Sequence, residues 1–183
     1  MPELIEPTVD LRDSWLESSR EWGTASQDGA GVWEAEDLTT VEGFVAWIER
    51  LREQSDDSLP IGPDRVHATY WWIVEDGNYL GAISLRHALN AKLLEGGGHI
   101  GYGIRPSARR RGLASWALGQ VLGRARTRGI DRVLITCDDD NVASAKTIER
   151  NGGVLEDVRD TWLGLTRRYW VTLRPSTPLR QTS

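Results

Sequence analysis

This 183-residue chain is poor in several residue types, with one cysteine, one methionine, one phenylalanine and three histidines. The single cysteine, Cys137, excludes an intramolecular disulfide and a zinc site built of cysteines. The longest aromatic and aliphatic run, Tyr70-Trp71-Trp72-Ile73-Val74, falls far short of the roughly 20 residues that a membrane-spanning helix needs. The opening MPELIEPTVDLRDSW has neither a basic leader nor an apolar stretch before a small-residue cleavage site, so no secretory signal is read and the cytoplasm is the expected compartment. Basic charge is also in deficit: 22 Lys and Arg against 27 Asp and Glu leave a net charge of -5, which opposes general nucleic-acid binding. There is no repeat period and no G-x-x-x-x-G-K-[ST] phosphate loop.

Hydrophobic residues at 39% and charged residues at 27% are ordinary for a folded, soluble chain. The length predicts one domain over residues 1–174, followed by a mobile polar tail, PSTPLRQTS, at 175–183. Leu11, Trp15 and Trp22 predict a first helix, and Val41, Phe44, Ile48 and Leu51 a second. Val66 to Glu75 and Tyr79 to Leu85 read as a hairpin around Asp76-Gly77-Asn78. His99–Ile104 reads as a strand, residues 109–128 carry a helix, and Val133–Cys137 forms a buried strand, which together imply a parallel crossover. A short helix over Asn141–Arg150 and two strands, 154–158 and 165–173, complete a mixed α/β fold.

The informative segment is GHIGYGIRPSARRRGLASWAL, residues 98–118. Three successive arginines, Arg109, Arg110 and Arg111, stand before Gly112 and the start of an apolar helical pattern in an acidic chain. A loop entering a helix N-terminus offers unpaired N–H groups and the positive end of the helix dipole. Gly112 and Ala114 remove bulk where backbone must approach an anion, and arginines add charge-assisted contacts. A diphosphate is the expected ligand.

The pattern R-x-x-G-x-A over Arg109–Ala114, after a strand ending Ile104-Arg105-Pro106, resembles the acetyl-CoA motif of the GNAT superfamily of N-acetyltransferases. Asn141-x-x-Ser144 resembles the segment that this family sets beside the pantetheine arm. The stretches ISLRHALN (83–90), GGHIGYGIRPS (97–107) and ITCDDDNVASAKTIERNGGVLE (135–156) are similar to a subgroup of predicted bacterial acetyltransferases. The resemblance covers about residues 79–173 and implies the GNAT fold, a mostly antiparallel central sheet with one parallel crossover and flanking helices. It further implies acetyl-CoA as cosubstrate, no metal, and Ile104, Arg109–Arg111, Gly112, Leu113, Ala114, Asn141 and Ser144 as its binding residues.

In the mechanism so implied, an amine attacks the thioester, a backbone N–H within Tyr102–Ile104 holds the oxyanion, and CoA leaves as thiolate. The family's tyrosine seven residues after the asparagine is absent here, its place taken by Ile148, and Tyr102 is the substitute acid on offer. His87, His99 and Asp138 are the candidate bases, the two histidines being expected close together on neighbouring strands. Each also has a structural reading: packed histidines, a strand tyrosine, and an Asp138-Asp139-Asp140 run that simply leads into a helix capped by Asp140 or Asn141. Cys137 reads as a buried thiol, and one of Trp71 and Trp72 as a candidate lining of an acceptor pocket. The acceptor is a small-molecule amine or a protein amino group, with no nucleic-acid or membrane partner expected. Homodimers are common in the family, although no seam is legible. A CoA-binding sensor without turnover is the alternative that Ile148 raises.

Overall fold

The computed structural model describes residues 1–33 and 37–173, so the polar tail expected at 175–183 lies outside the described residues. Its centre is a seven-stranded sheet in the order β1-β2-β3-β4-β5-β7-β6. The strands are β1 (Glu3–Ile5), β2 (Ala68–Glu75), β3 (Asn78–Arg86), β4 (Ile100–Ile104), β5 (Arg132–Asp138), β6 (Val154–Thr161) and β7 (Gly164–Thr172). Every neighbouring pair is antiparallel except β4 and β5. The mixed α/β expectation therefore holds, including its single parallel crossover. The edge strand β1 was not foreseen; three residues between Pro2 and Pro7 are too few to show a period.

Helices α1 (Arg12–Trp22) and α2 (Val41–Ser55) cover one face of the sheet, called the front below. Their apolar stripes meet β2 and β3 in an aromatic core, where Trp15 and Trp47 lie 5.0 Å apart and Trp72 lies 5.2 Å from Tyr79. Burying such rings contributes roughly 1.5–3 kcal/mol each. Trp72 is thus core, while its neighbour Trp71 alternates to the back, beneath the Arg124 guanidinium at 4.6 Å.

On the back, α4 (Leu113–Thr127) and α5 (Val142–Arg150) pack against Ile83, Leu85, Ile100, Ile104, Val133 and Ile135. A short helix α3 (Ala91–Glu95), capped by the Asn90 side chain on the Leu93 N–H at 2.9 Å, connects β3 to β4. The hairpin turn Asp76-Gly77 has φ of 51° and 74°, the left-handed pair that a two-residue hairpin requires. Helix α4 begins at Leu113, four residues later than the first arginine, because Pro106–Ala108 form a 3-10 turn and Arg110 (φ 65°) and Gly112 (φ 78°) are left-handed. The arginines consequently belong to a loop. Among the described residues, no helix is long and apolar enough to cross a membrane.

Candidate active site

Strands β4 and β5 pair at one position only, Ile100 with Ile135. Just before that pair, His99 and Leu134 clasp the strands: the His99 N–H donates to Leu134 O at 2.7 Å, and the Leu134 N–H donates to His99 Nδ1 at 2.9 Å. Beyond it the strands separate, leaving a wedge between Gly101–Ile104 and Thr136–Asp138. The β3–β4 ladder ends in bonds from Arg86 N–H to His99 O and from Arg105 N–H to Leu80 O. By antiparallel alternation Gly101 and Gly103 then face β3, and the backbone groups of Tyr102 and Ile104 face the wedge.

The phosphate-loop residues follow at the open end. The N–H groups from Arg110 to Ser115 have no bonded acceptor among the described residues, as expected for a helix start, and a Cβ on Gly112 would meet nothing within 4 Å. The three arginines are held differently. Arg109 Nε donates to Ile104 O at 3.1 Å while its guanidinium lies 4.8 Å over the Trp22 ring. Arg111 pairs with Glu75, whose carboxyl is held below its usual range first of all by that hydrogen bond. Arg110 is exposed and has no ion pair among the described residues. The Leu113 side chain is buried in the core, so only its N–H can serve a ligand.

The corner before the loop is tied to α1. Glu21 accepts from Arg105 Nε at 2.6 Å, Ser107 N–H at 2.9 Å and Ser107 Oγ at 3.0 Å. Partial burial raises the Glu21 carboxyl, and these donors outweigh it to leave a net lowering.

Across the wedge, the Tyr102 hydroxyl meets Ser144 Oγ at 2.7 Å, linking β4 to α5. Burial pushes Tyr102 up to about 12. Asn141 caps α5 by accepting the Ser144 N–H at 3.0 Å, so its capping reading is the observed one. Ile148 is fully buried against the sheet, and Cys137 is buried nearby, its thiol raised by desolvation to about 11. Among the described residues no group of His, Cys, Asp and Glu is arranged to hold a metal ion.

The sequence-predicted bases are dispersed. His87 does not approach His99: it turns to the back, where its Nδ1 meets Asp57 Oδ1 at 2.5 Å and Arg128 at 2.8 Å and its Nε2 meets Thr69 Oγ1 at 2.8 Å. Arg128 follows the C-terminal end of α4, a helix of 15 residues and so about 22 Å from the arginine loop at its start. His99 faces front, beside its cross-strand neighbour Arg86, with Nδ1 spent on Leu134; burial first, then the Arg86 charge, lowers it to about 4. Asp138 ends β5 at the wedge mouth, exposed, while the adjacent Asp139 is bound to Arg167 at 2.8 Å.

Sequence reading missed the segment that covers the wedge from the front. The stretch after α1 crosses β4 so closely that a Cβ on Gly103 would stand 2.9 Å from Asp28 O, and one on Gly29 2.4 Å from Gly101 O. Glycines 101 and 103, legible only as signs of a close approach, admit this loop. It brings Asp28 into electrostatic range of Asp138, Arg86 and Tyr102.

A comparison with curated protein sequences finds no match. Among solved structures, the acetyltransferase from Salmonella typhimurium that modifies the N-terminal serine of the 50S ribosomal subunit protein L7/L12 superposes with a TM-score of 0.68 at 17% identity, over 94% of this chain and 95% of that one. RimL, a ribosomal L7/L12 alpha-N-protein acetyltransferase held with coenzyme A as a disulfide to one of its cysteines, gives 0.70 at 18% identity, over 94% of each chain. The microcin C7 self-immunity acetyltransferase MccE, in complex with acetyl-CoA and AMP, gives 0.69 at 17% identity, over 94% of this chain and 92% of that one. At these identities the likeness is one of fold. The model of the acetyltransferase (GNAT) domain matches residues 24–154, from the front loop through α5, and the chain belongs to the GNAT family of acetyltransferases.

Proposed function

We propose that this protein transfers acetyl from acetyl-CoA to a primary amine by direct attack in a ternary complex. The observation that carries this reading is the wedge, opened by a single β4–β5 pair and ending at a loop of free amides on the α4 N-terminus. The diphosphate would rest on the Arg110–Ala114 amides, with Arg110 free to add a guanidinium and Arg109 held over Trp22. The pantetheine arm would lie in the wedge between the β4 edge and the Asn141–Ser144 turn, completing the β4 backbone bonding that β5 leaves unmade. The Tyr102 and Ile104 N–H groups are the fixed donors available to the oxyanion. The Tyr102–Ser144 hydroxyl pair supplies the proton for the departing thiolate in place of the tyrosine that Ile148 displaces.

The acceptor, a small amine or a protein amino group, enters from the front, since α4 and α5 close the back. The floor there is polar: Ser84, His99, Thr166 and Arg168 are buried on or beside that face. The test is release of free CoA thiol from acetyl-CoA in the presence of spermidine, kanamycin and a peptide with a free α-amino group. Amine-dependent release supports the transferase. Tight acetyl-CoA binding with no release from any amine supports a CoA-binding sensor instead.

A further inference from the structure

We propose that Asp28, on the loop between α1 and α2, is the group that takes the proton from the acceptor amine. This rests on the acetyl-transfer reading above. A base for this reaction must stand on the front, over the segment where β4 and β5 have parted, and must keep solvent access to pass its proton on. Neither histidine meets these conditions: His87 lies on the back at the far end of α4, and His99 has its acceptor nitrogen bonded to Leu134.

Asp28 meets them. Its own carbonyl packs on Gly103 and the next residue packs on Gly101, which fixes the loop over the front of β4, beside the wedge. The residue is exposed, and among the described residues its carboxylate accepts the Ser26 hydroxyl at a long 3.3 Å. The charged and titratable groups that face it are Asp138 from β5, Arg86 from β3 and Tyr102 from β4. Crowding by the loop and strand surface, together with the Asp138 charge, raises its carboxyl above the usual aspartate range despite the opposing pull of Ser26 and Arg86. A carboxylate so raised is a better match for an ammonium than an ordinary aspartate.

The ammonium gives one proton to Asp28, which passes it to solvent. The freed nitrogen attacks the thioester carbon, forming the C–N bond and the oxyanion. Collapse breaks the C–S bond, and the second nitrogen proton leaves with the thiolate as CoA thiol, through the Tyr102 hydroxyl. The preferred acceptors are therefore amines that are protonated at neutral pH.

Thiol release by wild type, Asp28→Asn, Asp28→Glu and Asp138→Asn is measured against pH with spermidine, kanamycin and an α-amino peptide. Hydroxylamine, unprotonated at neutral pH, serves as an acceptor that needs no base, and acetyl-CoA affinity is read in parallel by calorimetry. Asp28→Asn is expected to lose roughly 100-fold or more in kcat with protonated amines, with acetyl-CoA affinity and the hydroxylamine rate within about twofold of wild type. Asp28→Glu recovers part of the loss, and Asp138→Asn moves the acidic limb of the profile to lower pH. If wild type acetylates an amine and Asp28→Asn keeps both rate and acidic limb, this inference is overturned while acetyl transfer stands. If wild type binds no acetyl-CoA or acetylates none of the four amines, the transferase reading fails and this inference with it.

Discussion

His99 and Leu134 exchange two hydrogen bonds, at 2.7 and 2.9 Å, and this clasp marks the point from which β4 and β5 diverge. Because Nδ1 accepts, the ring must stay neutral. Its folded value near 4 lies below the ordinary 6.5, so between these values the unfolded chain binds more protons. The stabilisation is complete above pH 6.5 and is lost as pH falls toward 4. His99→Asn, whose side-chain oxygen can replace Nδ1, should show a stability profile flatter across that window, with wild type losing about 2–3 kcal/mol more on acidification. Urea titrations at several pH values read this directly. His99→Ala, which strands the Leu134 N–H, should cost about 1–3 kcal/mol at neutral pH.

The bond between Tyr102 and Ser144 predicts a kinetic effect without a binding one. Tyr102→Phe removes the hydroxyl and keeps the ring. A thiolate is already a fair leaving group, so kcat should fall by only about tenfold, less than the roughly 100-fold low end usual for general acid catalysis. Acetyl-CoA affinity by calorimetry should be unchanged. An equal loss in affinity would mark the pair as a binding contact instead.

His87 predicts the opposite pattern. It joins Asp57, Arg128 and Thr69 at the end of α4 remote from the loop. His87→Ala should lower stability by about 1–2 kcal/mol. Turnover and its pH profile should be retained, as thiol release would report.

Cys137→Ala should also retain activity, at a modest cost in stability. The thiol is buried and raised to about 11, which leaves it protonated and inert at neutral pH. Loss of turnover in a folded Cys137→Ala would require a role that its surroundings do not supply.

Local pattern carried much of the fold. The Asp76-Gly77 turn was legible because both residues must adopt positive φ, which few residue pairs accept. The arginine loop was legible because a glycine and small residues at a helix start are what a backbone approach to an anion would need. What escaped depends on distant segments meeting. Nothing in SQDGAG reveals that Gly29 will lie on Gly101, and hence that Asp28 will hang over the wedge. Nor does a histidine before a strand reveal whether its Nδ1 is a base or, as with His99, a partner for the strand beside it. The expected pairing of His87 with His99 failed for a related reason, since adjacent strands bring backbones together but the alternation of faces sends these two rings to opposite sides.

The most direct measurement is calorimetric titration of acetyl-CoA into wild type, Gly112→Ala and Gly112→Asp. A Cβ at Gly112 meets no protein atom, so Gly112→Ala should fold with a penalty of about 1 kcal/mol from its left-handed φ. In that folded protein the methyl group would stand where the proposed binding mode brings the diphosphate. The account predicts saturable 1:1 binding to wild type, about tenfold weaker binding to Gly112→Ala and a much larger loss for Gly112→Asp. Equal affinities across the three proteins would contradict the assignment of the α4 N-terminus as the diphosphate site.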